Sequence, residues 1–120
     1  MTRRMEKVAD LLQSEIAELL RREVKHPALT DIMISITRVE VSPDLSSARI
    51  HVSVMDTAEV EHDAMEALAR TEPFLHRSLV KRLAMRRVPR LHFIVDHSIA
   101  EGDRMAALMR GLATGEGREL

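Results

Sequence analysis

Ile32-Met33-Ile34-Ser35-Ile36-Thr37-Arg38-Val39-Glu40-Val41-Ser42-Pro43-Asp44-Leu45-Ser46-Ser47-Ala48-Arg49-Ile50-His51-Val52-Ser53-Val54 is the stretch whose pattern sets the architecture. Ile32, Ile34 and Ile36 alternate with Met33, Ser35 and Thr37, the period-2 signature of a strand. The parity then slips, because the next apolar pair is Val39 and Val41. A strand over 32–41 with a β-bulge near Thr37-Arg38 is therefore expected. Ser42-Pro43-Asp44-Leu45-Ser46 has the chemistry of a turn. A second strand follows, with Ala48, Ile50, Val52 and Val54 inward and Arg49, His51 and Ser53 outward. Two strands joined so closely predict an antiparallel hairpin.

Upstream, Met5, Val8, Leu12, Ile16, Leu19 and Leu20 recur at helical spacing and predict an amphipathic helix over 3–24. Thr2 can cap it, and His26-Pro27 ends it, because the residue before proline disfavours helix. Downstream, Asp56 and Glu59 have the spacing of a capping box, ahead of a helix carrying Val60, Ala64, Ala67 and Leu68. Pro73 is expected to break that helix, pushing Glu72 out of helical geometry and opening a second helix over 74–85. Leu75, Leu79, Val80 and Leu83 form its apolar face. Residues 90 to 95 read as a third strand of the same sheet, with Leu91, Phe93 and Val95 on one face. Ser98 can cap a last helix carrying Ile99, Met105, Leu108, Met109 and Leu112, ended by Gly111, Gly115 and Gly117.

The fold class is thus α+β: a three-stranded sheet with helices packed on it, in the order α-β-β-α-kink-α-β-α, with the kink at Thr71, Glu72 and Pro73. A chain of 120 residues with 45% hydrophobic content suits one domain, placed over 1–113, with 114–120 as a mobile tail. Trp and Tyr are absent, and eight Met fill gaps that aromatics would otherwise fill. Without Cys there is no disulfide, thiolate nucleophile or thiolate metal ligand. Glu6 and Asp10 come too early for a signal peptide, and no apolar run reaches the length of a membrane span. The chain reads as soluble and cytoplasmic.

Charge is the functional signal. Arg70, Arg77, Lys81, Arg82, Arg86, Arg87 and Arg90 stand against the single acid Glu72 in a chain of net charge −1. Asp56, Glu59, Glu61, Asp63 and Glu66 precede them without one Lys or Arg. Such separation presents a positive region that attracts polyanions, nucleic acid foremost. The plainer alternative is that these side chains solvate helix faces.

Catalytic and cofactor signatures are missing. His26, His51, His62, His76, His92 and His97 form no HxxxH or HxH pair, so no metal site is assigned. Asp96-His97-Ser98 has the letters of a hydrolase triad, but adjacent residues cannot converge on one substrate atom; a strand end and a helix cap explain them. The glycines, Gly102, Gly111, Gly115 and Gly117, make no phosphate loop. The acids of 56–66 lack EF-hand spacing. No catalytic residue and no cofactor is assigned. Phe74 and Phe93 sit in apolar periodicity and are expected in the core, which leaves RNA contact to phosphate and sugar rather than base stacking.

Ile36-Thr37-Arg38-Val39-Glu40-Val41-Ser42-Pro43-Asp44-Leu45-Ser46-Ser47-Ala48 resembles the signature hairpin of the ribosome-binding factor A family. Arg4 to Leu12, Leu19 to Val24, Phe74 to Leu79, Arg82 to Arg86, Pro89 to Phe93, Asp96-His97-Ser98, Gly102 and the Met105-to-Met109 stripe continue the resemblance over nearly the whole chain. It implies a variant type II K-homology fold without the GXXG loop that ordinary K-homology domains use to clamp RNA. The family breaks its helix pair with an Ala-x-Gly kink, where this chain has Thr71-Glu72-Pro73. The resemblance implies a non-enzymatic bacterial or organellar factor that binds the immature small ribosomal subunit, assists maturation of its ribosomal RNA and leaves before translation. It admits an assembly GTPase as a second partner and a monomeric, membrane-free state. Arg77, Lys81, Arg82, Arg86, Arg87 and Arg90 are the expected phosphate contacts, with Arg3, Arg4 and Lys7 as a second group. A protein–protein adaptor using the acidic helix or the first amphipathic helix is the rival class.

Overall fold

The hairpin forms as its pattern requires, except that Ser53, expected outward, is buried. In a computed structural model, which describes residues 2–24, 26–30 and 32–113, β1 (Ile34–Val41) pairs antiparallel with β2 (Ser47–Val54). Ile36 faces Val52 and Arg38 faces His51, so Thr37 is the extra residue of a bulge. β1 begins at Ile34, two residues later than expected, although the Met55 N–H still reaches Met33 O (3.2 Å). In the turn, Leu45 adopts a φ of 61° and is buried. That conformation is costly for a residue with a Cβ, and core burial of the side chain offsets the strain. Asp44 fastens the turn, accepting from Ser42 Oγ (2.7 Å), Ser46 Oγ (2.7 Å) and the Ser46 N–H (3.0 Å).

α1 (Arg3–Arg22) is capped by Thr2, whose hydroxyl accepts the Met5 N–H at 3.1 Å. The chain then passes through a 3-10 turn (Pro27–Leu29), where His26 Nδ1 accepts the Ala28 N–H at 3.1 Å. β3 (Arg90–Val95) joins the sheet parallel to β2, giving the order β1-β2-β3. A parallel neighbour needs a long crossover, and α2 (Ala58–Arg82) supplies it. Leu12, Ile16 and Leu19 of α1, Leu68, Leu75 and Leu79 of α2, and Val39, Val41, Ile50, Val52 and Leu91 of the sheet form one core.

The structure departs from the sequence expectation at three places in α2. α2 is one helix of 25 residues that continues through Pro73, where two helices with a break were expected. Glu72 stays helical and is buried. Proline costs the segment one backbone hydrogen bond. Its neighbours hold the helix together: Leu68, Leu75 and Leu79 are fully buried, and Thr71 Oγ1 donates to Ala67 O (2.7 Å). The α2 N-cap is Thr57, which accepts the Val60 N–H (3.2 Å), while Asp56 accepts the Thr57 N–H (2.8 Å), so the expected Asp56 box does not form. Val80, placed on the apolar face by its spacing, is 52% exposed.

α3 (Ser98–Ala113) was expected to pack on the sheet, yet its residues 101–110 are exposed throughout, Met105, Leu108 and Met109 included. Ser98 is its first helical residue rather than its cap. The His97 carbonyl accepts the Glu101 N–H (2.9 Å), and the Asp96 carboxylate accepts the Ser98 N–H (2.9 Å). The expected tail, 114–120, and the side chains of Ile99 and Leu112 lie outside the described residues. None of the described helices is long and apolar enough to cross a membrane.

Two aspartates pin the ends of the hairpin system. The Ser46 and Ser42 hydroxyls and the Ser46 N–H hold Asp44 down to about 2. Thr37 Oγ1, re-aimed by the bulge, donates to Asp96 Oδ2 (2.6 Å), and with the Ser98 N–H it holds Asp96 at about 2. A carboxyl depressed in the folded state stabilises above its ordinary value near 3.8 and loses that contribution as pH falls toward 2. The denaturant midpoint is therefore expected to fall between about pH 4 and pH 2. In the double variant Asp44→Asn, Asp96→Asn it should start lower and fall by less over the same interval.

Candidate nucleic-acid interface

At about 100° per residue, Arg70, Arg77 and Lys81 fall within an arc of about 40° on the outer side of α2. All three are exposed, and none has a hydrogen-bond or ion-pair partner among the described residues. The acids Glu59, Asp63 and Glu66 continue the same line toward the helix N-terminus. α2 thus carries acids on its first turns and bases on its last, each sign where the helix dipole favours it. The basic half leads into Arg86 and Arg87, exposed in the loop between α2 and β3.

That loop meets the start of α1. Arg4, Arg86 and Arg87 rim a concavity of ≈ 560 Å³ whose wall includes Leu45 and Asp44 of the hairpin turn. Two basic groups far apart in sequence therefore share one surface. Asp44 opposes them in charge, although its carboxylate is occupied by Ser42 and Ser46. Arg3 and Lys7 are exposed on the same first turns of α1.

Arg82 and Arg90 are placed differently from the rest. Arg82 Nε donates to Glu15 Oε1 (2.8 Å) and a second nitrogen lies 3.5 Å from Glu23, so it latches α2 onto α1. Arg90 grips Glu72 through two guanidinium nitrogens, one of them Nε at 3.1 Å. Glu72 Oε2 also accepts the buried Leu91 N–H (2.8 Å). Burial pushes the Glu72 carboxyl up, but the Arg90 hydrogen bonds, the Leu91 N–H and the Arg90 charge together hold it below the ordinary range. At Thr71, Glu72 and Pro73, where a kink was expected, the helix continues and Glu72 clamps α2 to β3.

The aromatic rings are not both interior. Phe93 is partly buried against the core, whereas Phe74 is 37% exposed. The outer face of the sheet, opposite the helices, presents Arg38, Arg49 and His92. This surface has no signal in the sequence beyond the outward positions of the hairpin. It is partly compensated internally: Glu40 lies 2.8 Å from His51 Nε2, 3.5 Å from Arg49 and 3.6 Å from Arg38. Histidines elsewhere serve structure: His76 Nε2 bonds Val88 O (2.9 Å) and His97 Nε2 lies 2.7 Å from Glu61. Among the described residues no group of three or more His, Asp or Glu side chains could hold a metal ion.

Comparison with known proteins agrees with this architecture. The crystal structure of ribosome-binding factor A from Thermus thermophilus superposes with a TM-score of 0.66 at 28% identity, covering 76% of this chain and 93% of that one. A homology model of the Thermus thermophilus factor, fitted into a cryo-EM map of its complex with the 30S, superposes with a TM-score of 0.60 at 29% identity, covering 74% and 91%. The ribosome-binding factor A of Synechococcus sp. (strain JA-2-3B'a(2-13)) is 42% identical over 110 residues, 92% of this chain and 76% of that protein. The α+β, K-homology-like fold is the one these structures share. The sequence model described as ribosome-binding factor A matches residues 4–109, and this chain belongs to that family.

Proposed function

We propose that this protein is a small-subunit assembly factor that binds immature ribosomal RNA and assists its processing, working as a cytoplasmic monomer without catalysing a reaction itself. Family membership over residues 4–109 carries the proposal, together with a relative placed in a 30S complex map. The surface supports it physically. Arg70, Arg77, Lys81, Arg86, Arg87 and Arg4, with Arg3 and Lys7 beside them, give an exposed basic band suited to phosphate contact. Arg82 and Arg90 would act mainly by holding that band in place. Eviction by an assembly GTPase belongs to the same proposal.

The adaptor alternative loses one of its two supports. The apolar stripe of α1 is buried, with Leu12, Ile16 and Leu19 in the core, so it offers no docking face. Its other support, Glu59, Asp63 and Glu66 of α2, remains exposed. Pelleting the protein with separated subunits distinguishes the classes. The expected result is recovery with free small subunits and little with complete ribosomes. Equal recovery from every fraction, or from none, contradicts the assembly-factor proposal.

A further inference from the structure

From the position of Phe74 on α2 we infer that its ring is a stacking platform for an unpaired base, while the cations around it hold the neighbouring phosphates. The inference rests on the rRNA-binding proposal and deepens it: the ligand here is single-stranded RNA rather than duplex. A lone exposed apolar side chain is ordinary, so exposure alone carries nothing. The neighbours of this ring decide the matter. Arg70 lies one turn before Phe74 and Arg77 one turn after, with Lys81 a further turn on. All four fall within about 60° of one another, with Phe74 on the side nearer the buried arc. From Arg70 to Lys81 the line runs roughly 16 Å along the helix. No exposed acid interrupts it, since Glu72 points inward to Arg90 and Leu91. Pro73, beside the ring, is exposed and adds apolar surface. An aromatic ring flanked by unpaired cations is the combination that sequence-tolerant single-strand readers use, because every base offers a face to stack and a phosphate to pair.

The test uses a short single-stranded oligoadenylate and an RNA duplex of the same length. Phe74→Leu keeps an apolar side chain and every charge. It is expected to weaken oligoadenylate binding about tenfold, within the range for one lost base stack, with the salt slope and duplex binding unchanged. Phe74→Trp provides a second readout. The chain has no Trp or Tyr, so all indole fluorescence comes from position 74. Oligoadenylate should quench it and the duplex should not. If Phe74→Leu binds oligoadenylate as the parent does while both bind RNA in a salt-dependent way, the stacking inference falls and the RNA-binding proposal stands. If the unsubstituted protein binds neither the probes nor small-subunit rRNA, both fall. Equal quenching by duplex and single strand overturns the single-strand preference.

Discussion

Replacing Arg77, Lys81, Arg86 and Arg87 together by Glu is expected to reduce affinity for small-subunit RNA on the order of a thousandfold near physiological salt, with the fold intact. The magnitude follows from counterion release. Each phosphate neutralised contributes about 0.7 to 0.9 to the log–log salt slope, so four contacts are worth roughly three units of slope. Near physiological salt that corresponds to on the order of a thousandfold in the binding constant. The matching Gln variant should lose that share of the slope without the added repulsion. The fold should survive because all four side chains are exposed and have no partner among the described residues. Arg82 is left out of the set for a structural reason: it holds Glu15 and Glu23, and reversing it would confuse a lost latch with a lost contact. Reversing Glu59, Asp63 and Glu66 to Lys should not weaken binding. A filter-binding series across salt, with circular dichroism as the folding control, measures all of these variants. An unchanged slope in the Gln variant would mean that these cations only solvate the surface that carries them.

The largest expected loss of stability from a single polar substitution is at Glu72. Glu72→Lys should cost at least about 3 kcal/mol, read from the denaturant midpoint. It removes the acceptor of the buried Leu91 N–H, which leaves a desolvated donor unpaired, and it sets two cations against each other at the α2–β3 contact. Arg90 is half exposed, so water softens the repulsion, and the orphaned N–H is the larger part of the loss. Adding Arg90→Glu to Glu72→Lys should recover the charge pair but not the acceptor, giving partial rescue. Full rescue would show that charge alone matters, and no rescue would show that the N–H alone does.

Much of the architecture was legible because it is written locally. The parity slip between Ile36 and Val39 can be satisfied only by an extra residue, and Thr37 is that residue. The apolar stripes of α1 and β2 allow one buried face each. Pro73 misled because the rule for proline is local, whereas the forces that keep α2 whole are tertiary. Leu75 and Leu79 are buried beyond it, and Glu72 is tied to a strand 18 residues away. The cost of a proline, about 3 kcal/mol in an isolated helix, is smaller than what those contacts supply. The same limit applied to the basic strip. Sequence showed which residues carry charge but not which of them find acids: Arg82 meets Glu15 across 67 residues. The spacing of Phe74 points to the core, but spacing cannot say how wide the buried arc is, and the ring falls at its edge.

Cross-linking of the protein to free small subunits, followed by identification of the RNA-linked peptides, tests the central claim most directly. The account predicts links from peptides spanning Arg70 to Arg87 and from the Arg3–Lys7 segment, with none from Glu59 to Glu66. Links confined to α3 or to the outer sheet face around Arg38 and Arg49 would contradict it.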